Sequence, residues 1–101
     1  MSMLHIVNKS ATERNTLDTC LGAAQAGSAL LLIEDGVYSA TKGSGAAARL
    51  QEAMARVKIY VLKPDAEARG IADRVLDGVE LVDYGGFVDL AASHKNCQSW
   101  L

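Results

Sequence analysis

The sequence predicts an α/β fold, a single-domain three-layer sandwich with a mainly parallel sheet of four to five strands. Three observations carry that expectation. Ala29-Leu30-Leu31-Leu32-Ile33 is apolar at every position, which fits a strand buried on both faces as in a parallel sheet. Strand-like and helical stretches alternate, with connections long enough for crossovers, and such crossovers are right-handed. The chain has 101 residues, half of them hydrophobic, which is one domain by size (1–101) with a core of modest stability.

The elements follow in order. Met3–Val7 reads as a buried strand. The polar loop Asn8 to Arg14 comes next, and Thr12 and Asn15 are the candidate helix N-caps. A helix from Thr16 to Ala26 stops at Gly27, a residue suited to the turn after a helix. The apolar run at 29–33 is the second strand. Glu34-Asp35-Gly36 turns the chain into Val37-Tyr38-Ser39-Ala40, and Lys42-Gly43-Ser44-Gly45 breaks it before an alanine-rich helix, Ala46–Arg56. Lys58–Leu62 is a third strand. Pro64 suits the first turn of a short helix, Asp65–Arg69, which Gly70 closes. Val79–Val82 is a fourth strand and Phe87–Ser93 a last helix. From Lys95 the tail is polar until Trp100 and Leu101.

Charge narrows the function. The net charge is −2, and the ten Lys and Arg residues are scattered rather than clustered. A protein that displaces counterions from a phosphate backbone needs a basic stripe, so direct nucleic-acid contact is not expected. The start of the chain lacks the regions of a signal peptide, and its longest apolar run is too short to span a bilayer. Two distant cysteines make no disulfide framework. A reducing cytoplasm is the natural compartment, with Cys20 a free thiol. Only 22% of residues are charged, a surface poor enough in charge to suggest that partner subunits cover some of it.

Cys20 is the most informative side chain, a lone thiol on the first helix of a small α/β domain. At about 100° per residue, Leu17, Leu21 and Ala24 centre the apolar face of that helix and Cys20 lies to one side. That is a boundary position, where a thiol handing sulfur to another protein is reachable. The alternative is a small buried hydrophobe, because free cysteine is among the most buried residue types. A thiol reacts as thiolate and needs nearby positive charge. Cys20 sits about 6 Å into the helix, where the helix dipole has faded, so Lys9 and Arg14 are the candidate stabilisers.

Other groups gather where ligands of open parallel sheets gather, outside the carboxyl ends of the strands: Asn8, Lys9 and Ser10, then Glu34 and Asp35, then Lys63 and Asp65, then Asp83 and Tyr84. Glu34-Asp35 with Lys63 resembles the acidic pocket and lysine of phosphoacceptor receiver domains, but there the acidic pair follows the first strand; a solvated turn is the simpler reading. Lys42-Gly43-Ser44-Gly45 lacks the Walker spacing and reads as a linker. His5, on a buried strand, fits a hydrogen-bonded core residue better than a base. His94 and Cys97 have no second ligand pair, so no metal site is expected, and no cofactor motif is present. Trp100-Leu101 is an apolar anchor that folds back on its own domain or docks on a neighbour.

Taken in order, these residues resemble the DsrH/TusB family of small sulfur-relay subunits. The similarity is carried by Met3-Leu4-His5, Asn8-Lys9-Ser10, Leu17 with Cys20-Leu21, Leu30-Leu31-Leu32 and Glu34-Asp35-Gly36-Val37-Tyr38. It continues through Tyr60-Val61-Leu62, Ala68-Arg69-Gly70, Val82-Asp83-Tyr84, Phe87-Val88 and Trp100. The resemblance implies a cytoplasmic subunit that joins DsrE/TusD-type and DsrF/TusC-type subunits in a heterohexamer. Such assemblies pass persulfide sulfur toward a DsrC/TusE-type carrier, either for 2-thiolation of the transfer-RNA wobble uridine or in dissimilatory sulfur oxidation. Cys20 matches the cysteine of the DsrH side, which makes it a candidate persulfide carrier. The principal acceptor of these complexes belongs to the DsrE/TusD-type subunit, so a non-catalytic structural role is the alternative.

Overall fold

Five parallel strands form one sheet in a computed structural model of the chain, which describes residues 3–10 and 16–100. They are β1 (Met3–Val7), β2 (Ala29–Leu32), β3 (Lys58–Leu62), β4 (Glu80–Val82) and β5 (Asn96–Trp100), in spatial order β4-β3-β2-β1-β5. Every residue of β2 is buried, as its unbroken apolar run demands of a strand covered on both faces. The helices are α1 (Thr16–Ala23), α2 (Ala47–Ala53), α3 (Lys63–Ala68) and α4 (Tyr84–Ser93), and a 3₁₀ segment spans Glu34–Ala40.

The handedness of crossovers sorts the helices into layers. From β1 to β4 the chain steps across the sheet in one direction, so right-handed crossovers place α1, α2 and α3 on one face. The connection from β4 to β5 runs back past β1 in the opposite direction, so α4 falls on the other face. The packing agrees. Leu17, Cys20 and Leu21 of α1, Leu50 and Ala53 of α2 and Ala66 of α3 share one core with Val7, Leu30, Leu32, Ile59 and Val61. Phe87, Leu90 and Ala91 of α4 pack on a smaller cluster of Leu4, Ala29 and Leu31. The expected α/β three-layer architecture with a parallel sheet is what forms.

Several boundaries differ from expectation. The first helix ends at Ala23 rather than Ala26, because Arg56 takes the carbonyls of Leu21 and Ala24 from outside the helix. The second ends at Ala53, three residues early. The last starts three residues early, since Asp83 is an N-cap whose carboxylate accepts the Gly86 N–H at 2.7 Å. The polar tail contains a strand, β5, which pairs with β1 from Met3–Asn96 to Val7–Trp100. The expected N-caps Thr12 and Asn15 lie outside the described residues.

Candidate functional site

Cys20 comes from the middle of α1, and its surroundings decide what its sulfur can do. It was expected at a boundary; it is 0% exposed. α2 lies along the flank of α1, tied to it by an Asp18–Arg49 ion pair at 2.7 Å and by the Arg56 guanidinium on the last carbonyls of α1 at 2.6 and 2.8 Å. At about 100° per residue Asp18 stands about 160° round the helix from Cys20, so that brace lies on the other flank, and Cys20 is buried in the core that α1 shares with Val7, Leu30 and Leu32. Burial pushes the Cys20 thiol up to about 12, since an apolar site disfavours the charged thiolate. No positive charge among the described residues offsets that. Lys9 stands half-buried in the bend after β1, and Arg14 lies outside the described residues. In this conformation Cys20 is a protonated core thiol.

The carboxyl rim of the sheet is held by ion pairs and backbone contacts. Gly36 crosses over the end of β1, where a Cβ would come within 2.5 Å of the Val7 carbonyl oxygen. Its N–H reaches the Asn8 carbonyl at 3.2 Å. Glu34 adopts a left-handed φ of 49°, a conformation uncommon outside glycine, and its N–H donates to Asp65 Oδ2 at 2.7 Å. Arg69 closes the group, with Nε 3.0 Å from Asp35 Oδ1. Asp35 is therefore paired with a guanidinium, and the acidic turn is cross-braced to α3 rather than arranged as an open phosphoacceptor pocket. The sequence offered Arg69 as a helix end and as part of the family-like run Ala68-Arg69-Gly70, not as a partner of Asp35. Asn8 Oδ1, at the tip of β1, is buried without a hydrogen-bond partner among the described residues.

The remaining candidates serve the fold. Ser44 donates to the Ser39 carbonyl at 2.7 Å, which shapes the glycine-serine turn. His94 donates through Nδ1 to the Leu90 carbonyl at 2.7 Å, at the end of α4. Cys97 is exposed on β5. No group of three or more His, Cys, Asp or Glu lies together among the described residues. No described helix is long and apolar enough to cross a membrane. His5 and Trp100, weighed separately in the sequence, meet across the β1–β5 ladder: the indole N–H donates to His5 Nδ1 at 3.1 Å. Trp100 folds back on its own domain.

Comparison with known proteins places this arrangement. The model of a family described as "DsrH like protein" matches residues 9–97. A protein named TusB from Pectobacterium parmentieri is 39% identical over 98 residues, 97% of this chain and 100% of that protein. The protein of that name from Salmonella enteritidis is 35% identical over the same shares. Among solved structures, the YchN protein of E. coli superposes with a TM-score of 0.75 at 19% identity, covering 98% of this chain and 99% of that one. A protein of unknown function from Methanobacterium thermoautotrophicum gives 0.72 at 15% identity, covering 96% and 97%. Those two likenesses concern the fold alone.

Proposed function

Because the chain belongs to the DsrH-like family, we propose that it is a sulfur-relay subunit whose contribution is structural rather than chemical. Its partners are DsrE/TusD-type and DsrF/TusC-type subunits in a cytoplasmic heterohexamer, which delivers persulfide sulfur to a DsrC/TusE-type carrier. Likeness to proteins named TusB favours the branch that ends at the transfer-RNA wobble uridine over sulfur oxidation.

One observation carries the structural role: the sulfur of Cys20 is sealed in the core with its pKa near 12. At neutral pH such a thiol is almost wholly protonated, and neither a sulfane donor nor an acceptor protein reaches it. Thiol exchange needs a thiolate and an approach path. The chain instead offers its partners the half-covered second face of the sheet, where Tyr84 and Val88 of α4 are largely exposed.

The test loads the assembled complex with a sulfane-sulfur donor and maps the added sulfur by peptide mass. Labelling confined to other subunits, with sulfur delivery intact in a Cys20→Ala complex, is the expected result. Alanine is the informative substitution, since serine would bury an unpartnered hydroxyl and confound stability with chemistry. Persulfide on Cys20 would overturn the structural reading and restore Cys20 as carrier, with Lys9 and Arg14 as the cations to examine next.

A further inference from the structure

β5 stands at the edge of the sheet with most of its side chains exposed. It pairs with β1 on one side only and forms the edge of the sheet. Asn96, Cys97, Gln98 and Ser99 are all exposed, and Trp100 is the β5 side chain that packs against the main core. The indole N–H of Trp100 ends on Nδ1 of His5, itself only 3% exposed. Indole nitrogen only donates, so Nδ1 must be the unprotonated nitrogen of a neutral ring.

We propose that His5 and Trp100 form an acid-sensitive latch, in which protonation of the His5 ring releases β5 from the edge of the sheet. An imidazolium carries a proton on both nitrogens, so the Trp100 donor would face a donor and the bond is lost. The new charge would stand in a site built only for a neutral ring. His5 borders a cavity of about 360 Å³ whose other walls are Met3, Ala23, Gln25, Ser28, Gln98 and Trp100, none of them charged. The charged and titratable groups on the packed elements give no relief. On α1, Asp18 is committed to Arg49 and Cys20 is a buried neutral thiol. Arg56, at the end of α1 on the Leu21 and Ala24 carbonyls, is a cation and opposes a second one. β2 sets Leu30 beside His5, and Cys97 of β5 is in register with Leu4, one residue out of phase with His5 and so on the opposite face.

The sign follows from burial, which lowers the pKa of the docked ring. Docking is at full strength above the ordinary histidine value of about 6.5 and weakens as pH falls below it. The ratio of docked to released strand drops up to about tenfold per pH unit until the docked ring itself titrates.

The chain contains one tryptophan, so its emission and its single indole N–H resonance both report on β5. Acidification of the full chain from about pH 7.5 to 5, across the histidine range, is expected to red-shift the emission and move the indole resonance. The far-UV circular dichroism of the rest of the molecule should hold. His5→Gln should abolish the titration, which separates His5 from His94. Should His5→Gln fail to fold, Trp100→Phe provides the second arm: loss of the donor that favours the neutral ring should raise the His5 pKa measured by NMR. A flat emission profile in the native chain, a titration that survives His5→Gln, an unmoved His5 pKa in Trp100→Phe, or global unfolding over the same range would each overturn the latch.

Discussion

The two faces of the sheet are built to different standards. The face under α1, α2 and α3 carries a continuous core in which Leu17, Cys20, Leu30, Leu32, Leu50 and Val61 are at most 1% exposed. Among the described residues the cluster under α4 is built on only Leu4, Ala29 and Leu31, and α4 itself contributes none that is fully buried. Topology explains the inequality: three crossovers cover one face and one covers the other. The lesson is that stability and assembly are divided between the faces. The first holds the chain folded, and the second has apolar surface still to cover.

The contrast breaks if substitutions on the two faces cost the same. Leu50→Ala removes a fully buried side chain of α2 and should destabilise by about 2–5 kcal/mol in denaturant unfolding, the range for such core truncations. Next in size is an alkaline effect on the same face. The Cys20 pKa is raised on folding, so its contribution is complete below the ordinary thiol value and is lost as pH climbs toward about 12. The stability difference between the native chain and Cys20→Ala should shrink by up to about 1.4 kcal/mol per pH unit above about pH 9. Smaller still is Arg56→Met, which removes two hydrogen bonds at a partly exposed guanidinium and should cost about 1 kcal/mol. Faster amide exchange confined to the last turn of α1 would locate that loss. Least of all, Val88→Ser on α4 should lie within about 0.5 kcal/mol in the isolated chain. A Val88→Ser cost approaching that of Leu50→Ala would show that the second face is closed in the lone subunit after all.

How much of this was legible in the sequence depended on whether a segment's partners were its own neighbours. β2 announced itself, because a strand buried on both faces must be apolar at each position. The β5 residues Asn-Cys-Gln-Ser-Trp have no alternation to read. They form a strand because β1 offers them an open row of main-chain donors and acceptors, a fact about residues more than ninety positions away. Cys20 failed for a related reason. A helical wheel weighs only the helix that bears the residue, whereas the core of Val7, Leu30 and Leu32 under α1 is wide enough to take in Cys20 as well. The rim was half legible: its acidic turn was visible, but nothing in the order of residues linked Arg69 to Asp35, which it pins.

The pairing of β5 with β1 also sets a timetable. β1 precedes the other four strands of the sheet, yet one of its two neighbours consists of residues near 100. Until these emerge, a growing chain holds β1, β2, β3 and β4 with one flank of β1 bare. An unpaired flank invites strands from other molecules, so the interval before β5 arrives is when this chain most needs shelter from misassociation.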